Sequence, residues 1–183
     1  MLRTRIALAL LPLALAACST TPAKSKTVPI ETWRTPGKEH QAIVAGAGEW
    51  DGTLTMFGEH AMGPLPVHET VEAIGPFWTQ SRFTGDFMGM PYVGTGCVGY
   101  DPSTKKYVGT WIDNTWSAFA LMEGEMDASG KLVMRWTAPD ETTGEPVLHR
   151  TETVQTKDSL VMTFYMGEGK GVKSMVIDMK RKG

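Results

Sequence analysis

Gly94, Gly96, Gly99 and Gly109 stand among tyrosines, valines and a tryptophan in YVGTGCVGYDPSTKKYVGTWID, residues 92–113. Glycine at that density either cradles a phosphate or makes room within a sheet. A phosphate loop sets a lysine and a helix directly behind its last glycine, and this stretch supplies neither in that order. Asp101 and Pro102 instead open a tight turn between two runs of alternating residues. On that alternation Gly94 and Gly96 share one face, while Tyr107, Gly109 and Trp111 share a face of the return strand. The glycines are therefore expected to leave space for large rings or to let the sheet bend.

Other reactive side chains are scattered. Cys97 has no cationic neighbour in sequence to lower its pKa, which suits a buried, inert thiol better than a nucleophile. Among the 12 methionines, Met88 and Met90 flank Gly89, and His60 and Met62 share GEHAMG. Thioether and imidazole are soft ligands for Cu(I), yet no repeated methionine cluster occurs, and methionine more commonly fills gaps in a core. No metal or cofactor is expected. His40, His60, His68 and His149 show no nucleophile motif around them, and the Glu123 and Glu125 pair on one strand face reads as solvated. No residue carries a catalytic signature.

A binding site is the stronger expectation. Trp78, Gln80 and Arg82 share one strand face, and Tyr107, Trp111 and Asp113 share another. If both faces point inward they line an aromatic cavity with Arg82 and Asp113 as polar anchors, suited to an amphipathic organic ligand. In the competing arrangement the rings pack a core and the two charges face water, since parity alone does not say which face is inside.

These residues sit in a chain that asks for strands almost throughout. Beyond Glu49, about ten short segments rich in β-branched and aromatic residues are each closed by a turn signal, as in an antiparallel sandwich or barrel. Only the stretch from Glu39 to Ala45 reads as a helix, ended by Gly46 and Gly48. Closing the meander removes its exposed edges most completely. The expected fold is all-β, an antiparallel up-and-down barrel of about 8 to 10 strands with one short N-terminal helix.

Gly48, Glu49 and Trp50 resemble the signature that opens the first strand of lipocalin-like calycin barrels. That resemblance implies an indole plugging one barrel end and an arginine from the last strand packed across it. Alternation in KSMVIDMKRK puts Met175, Ile177, Met179 and Arg181 on one face, so Arg181 is the candidate for that cation on a ring. More widely, GEWDG, the central GTGCVGYDPSTKKYVGTWID, GEMDASGKL and the basic end at Arg181 are similar to the bacterial family called Domain of Unknown Function 1579. The similarity runs from about Lys38 to Lys182 and implies a fold, while bringing no established activity.

The first residues give an address. Arg3 and Arg5 precede an apolar run over residues 6–17, too short for a spanning helix of about 20 residues. It closes on Leu15, Ala16, Ala17 and Cys18, a pattern that resembles the bacterial lipobox, so residues 1–17 are expected to be a signal peptide and Cys18 a lipidated N-terminus. Ser19, where the known sorting rule has aspartate for inner-membrane retention, implies the outer membrane, facing the periplasm. Residues 18–37, rich in Thr, Pro, Lys and Ser, read as a flexible tether, and residues 38–183 as the barrel domain.

Removing residues 1–17 of 183 leaves 166, one domain's worth. It also leaves 16 basic against 20 acidic residues, since 18 and 20 are present in all and Arg3 and Arg5 depart. A net charge of −4 offers no steering toward nucleic acid. With Cys18 lipidated, Cys97 has no disulfide partner, and the fold must rest on apolar burial. The expected function is a membrane-anchored periplasmic lipoprotein that binds a small apolar or amphipathic ligand. The alternatives are an enzyme using the same cavity and an envelope protein working through its outer face.

Overall fold

A computed structural model describes residues 27–59, 61–140, 142–167 and 169–183. Cys18, residues 1–17 expected to be a signal peptide, and His60 lie outside the described residues. Two short helices, α1 (Ile30–Arg34) and α2 (Lys38–Val44), precede ten strands. These are β1 (Gly48–Met56), β2 (Met62–Ile74), β3 (Trp78–Phe87), β4 (Met90–Asp101) and β5 (Lys106–Asp113), then β6 (Ala120–Met126), β7 (Leu132–Pro139), β8 (Pro146–Gln155), β9 (Ser159–Met166) and β10 (Val172–Arg181). Each strand pairs antiparallel with its sequence neighbours, and β1 pairs with β10, so the sheet closes into a barrel with no free edge.

Short polar turns make that meander possible. Asp101, Asp127 and Asp140 each begin a turn by accepting backbone N–H groups two or three residues on, from Ser103 at 2.7 Å, Ser129 at 2.8 Å and Thr143 at 2.8 Å. The local hydrogen bonds satisfy the chain where the ladder stops and return it at once to the next strand.

Two elements differ from the expectation. α1 forms within the stretch that reads as a tether: Pro29 precedes its first turn, where a fixed φ suits helix entry, and Glu31 and Arg34 sit at the ends the helix dipole favours. β2 takes in Met62 to Pro66 ahead of the run of β-branched residues that begins at Val67, a stretch whose prolines argue against a strand. Pro64 and Pro66 disguise this stretch, but it pairs with β1 alone, because β3 joins only from Val67 onward. A proline without a ladder donor is tolerated there.

The inward face follows from the register. Trp50, Leu54, Val67, Phe83, Leu160, Ile177 and Met179 are buried together as the core. Residues of the same parity on the remaining strands also point inward: Gly94 and Gly96 opposite Phe83 and Ser81, Trp111 opposite Gly96, Met134 opposite Thr151, and Phe164 opposite Met175. In the middle of the sheet the two glycines accommodate Trp111. A Cβ on Gly94 would meet the Trp111 indole at 2.2 Å, and one on Gly96 would meet it at 2.8 Å. The central glycines thus let an indole lie flat on β4.

Candidate functional site

One end of the barrel is plugged. Trp50, fully buried, donates its indole N–H to the Gly46 carbonyl at 3.0 Å, tying the plug to the turn that follows α2. Arg181 lies opposite Trp50 in the register, with its guanidinium carbon 4.3 Å from the centre of the ring. Its nitrogens donate to three carbonyls: Ala45 at 3.0 Å, Ala47 at 2.5 Å and Lys157 at 2.7 Å. The cation thus spends its donors on the loop ends around the floor while its flat face covers the indole. Nearby, α2 places His40 edge-on to Phe77 and Tyr100, with ring centres 5.2 and 5.6 Å apart, and Tyr100 in turn meets Tyr107.

Away from the floor the inward side chains change character. Met56, Tyr92, Trp111, Met122, Trp136, Met162, Phe164 and Met175 all lie on inward-facing positions yet are only half-buried. Their backs are covered by the sheet, so the surface they keep faces the lumen, Met122 alone of them also bordering a groove on the outer wall. Rings group there: Phe83 meets Tyr92 and Trp111 edge-on at 5.9 and 6.4 Å, Phe87 stacks on Tyr92 at 4.8 Å, and Trp136 stacks on His149 at 5.2 Å. Rings and thioethers together form an apolar surface that adapts to shape.

Of the five expected ligand-binding residues, three face this lumen. Trp111 and Asp113 are inward and joined, the indole N–H reaching a carboxylate oxygen at 3.3 Å. Thr115 fixes the other carboxylate oxygen from its N–H at 2.9 Å and its hydroxyl at 2.5 Å. Tyr107 is also inward, but buried at the floor. Trp78 and Arg82 do not line the lumen. Thr79 and Phe83 are the buried residues of β3, and the intervening parity carries Trp78, Gln80 and Arg82 to the outer wall, all three exposed. The physical reason is the one-residue alternation of a strand: with Phe83 in the core, Arg82 must point out.

The lumen's second carboxyl is Glu69, which its sequence context hides between the polar His68 and Thr70. The flanking Val67 and Val71 mark its face. Glu69 stands opposite Trp50 on one side and Phe83 on the other. Burial pushes its pKa above the usual 4.5, against the smaller opposing effects of a Ser81 hydrogen bond and the His68 charge. On the same side of the barrel, burial and then the Asp113 charge push the Tyr92 phenol above its ordinary value, so Tyr92 remains a hydrogen-bond donor.

A raised carboxyl pKa has a defined cost in pH. The folded state keeps a proton that the unfolded state releases above 4.5, so stability falls as pH rises from there toward the folded value and the loss is complete above it. Glu69→Gln is therefore expected to raise the melting temperature relative to wild type at about pH 8, with the gain shrinking at about pH 4. Thermal unfolding at both values checks this; an equal difference at each would contradict it.

Two further concavities, of about 490 and 350 Å³, lie on the outer wall around Trp78. The larger adds Cys97, Val108 and Leu121, and the smaller adds Trp33, His40 and Tyr100. Both are open to solvent along one side. Cys97 is half-buried there. Among the described residues no three acidic, histidine or cysteine side chains gather to hold a metal ion.

A closed ten-stranded antiparallel barrel, plugged at one end by tryptophan and lined beyond it by rings and thioethers, defines the class of protein. The chain belongs to the family described as Protein of unknown function (DUF1579), whose model matches residues 35–181 and so takes in α2 and all ten strands. It matches no curated protein.

Proposed function

We propose that the protein is a bacterial envelope lipoprotein, held to the periplasmic side of the outer membrane by acylated Cys18, that binds a small apolar or amphipathic molecule in the barrel lumen. The observation that carries the binding reading is the half-buried state of inward-facing apolar residues above a floor where Trp50 and Met179 are fully buried. A core packed only for stability buries such side chains throughout. Apolar walls with a few convergent polar groups are the usual form of a small-molecule site, and Glu69, Tyr92 and Asp113 supply those groups.

Native mass spectrometry of the mature chain released from its own membranes tests the reading. The expected result is a one-to-one adduct of small mass that disappears on acid unfolding. Bare protein alone, with no saturable uptake of the neutral lipophilic dye Nile red, would contradict it.

One observation favours a second reading, an enzyme working in the same lumen: Tyr92 and Asp113 are two titratable groups in contact within it. That reading requires chemical change of the bound molecule, lost in Tyr92→Phe while binding persists.

The anchor is tested separately. Cys18→Ser is expected to leave an unprocessed or soluble species, read by intact mass and membrane fractionation. An unchanged membrane fraction would overturn the anchor and leave the lumen reading untouched.

A further inference from the structure

Resting on the lumen as the binding site, we propose that its ligand carries a cationic, amine-type head group and that carboxylate amphiphiles are excluded. The register decides which charges face inside. Arg82, Lys106, Arg135, Arg150, Lys173 and Lys180 all take outward positions, next to inward neighbours such as Phe83, Tyr107, Met134, Thr151 and Met179. Among the described residues Arg181 alone is an inward strand arginine or lysine, and it is committed to Trp50 and three carbonyls at the floor. No arginine or lysine on the barrel wall is left to meet a bound carboxylate, the one inward imidazole of the strands, His149, being stacked on Trp136, and an anion buried in this lumen without a partner carries its full desolvation cost.

Among the described residues the inward strand acids are Glu69 and Asp113, and they sit on one arc of the barrel, β2 to β5. Between them lies Phe83, edge-on to both Tyr92 and Trp111. The rest of the wall past β1, on β9 and β10, presents Met162, Phe164, Met175 and Ile177, all uncharged. The two carboxyls thus lie on one arc of the lumen only, and the wall across from them, with Trp136 and His149 on β7 and β8 beside these residues, holds rings and thioethers but no carboxyl among the described residues. Ring faces attract cations and repel anions through their quadrupole, and a carboxyl beside them pairs with an ammonium. Apolar tail against β9 and β10, ammonium head against Glu69, is the pose this arrangement accepts.

The test uses three probes of one chain length, decylamine, 1-decanol and decanoate, displacing Nile red from the mature chain (residues 18–183 with Cys18→Ser). The expected order is amine, then alcohol, then carboxylate, with the amine ahead of the carboxylate by roughly tenfold or more. In Glu69→Gln the amine loses its advantage over the alcohol, the ratio of the two affinities in the same variant being the readout. Decanoate binding as tightly as decylamine to wild type would overturn the inference and leave the lumen reading standing. An amine advantage fully retained in Glu69→Gln would overturn the role of Glu69. Failure of all three probes and of the dye to bind would instead remove the lumen reading itself.

Discussion

Trp50→Ala costs about 3 to 5 kcal/mol of stability on this account, the largest loss expected of any single substitution. The indole is fully buried, gives its N–H to Gly46, and fills the barrel floor against Met179. Its removal leaves a cavity that strands held by closure on both sides cannot collapse to fill. Arg181→Ala costs on the order of 1 to 2 kcal/mol, through the lost stack and the three carbonyls left without that donor. Because the two residues touch, the double variant is expected to show coupling beyond the roughly 0.3 to 0.5 kcal/mol of independent sites. Denaturant unfolding of the four proteins measures it, and additive losses would mean that the guanidinium does not close the barrel.

The second large effect is expected at the middle of the sheet. Gly94→Ala places a methyl where the Trp111 indole now lies, at a distance of 2.2 Å that no carbon pair tolerates. The ring has to leave the surface of β4, at a cost of about 1 to 3 kcal/mol. Since Trp111 donates to Asp113 and meets Phe83 edge-on, its displacement also disturbs the polar end of the lumen. A lower denaturation midpoint together with a shift in tryptophan emission checks this. An unchanged midpoint and spectrum would show that the indole does not rest on Gly94.

How much of this is legible in the sequence depends on the kind of order involved. Strand positions are legible because alternation and turn residues are local: Asp101, Asp127 and Asp140 each mark a return that the barrel uses. The plug is legible through Trp50 and Arg181, which lie at the ends of the first and last strands and meet only because the sheet closes. The sidedness of each strand is not local. Trp78 and Arg82 have the composition of a ligand face, yet the burial of Phe83 one residue away turns them out. Glu69 is hidden for the converse reason, as an acid among polar neighbours whose inward direction is set by Val67 and Val71 and by closure against β1 and β3. α1 is short enough that its helix rests on a few end effects within a stretch of tether-like composition.

Neighbouring residues of β6 give the most direct test of the central claim, that the lumen and not the outer wall receives the ligand. Leu121 points out into the larger outer groove, whereas Met122, though its position borders that groove, turns its thioether methyl inward against Gly109. Leu121→Gln and Met122→Gln make the same chemical change on opposite faces of one strand, and burying the amide against an apolar ligand costs about 1 to 3 kcal/mol of affinity. Nile red titrations of the two variants and wild type, each first shown to be folded by circular dichroism, compare them directly. A lumen site predicts binding weakened about fivefold or more in Met122→Gln and changed less than about twofold in Leu121→Gln. The reverse pattern, with binding lost in Leu121→Gln and kept in Met122→Gln, would place the ligand on the outer wall and contradict the account.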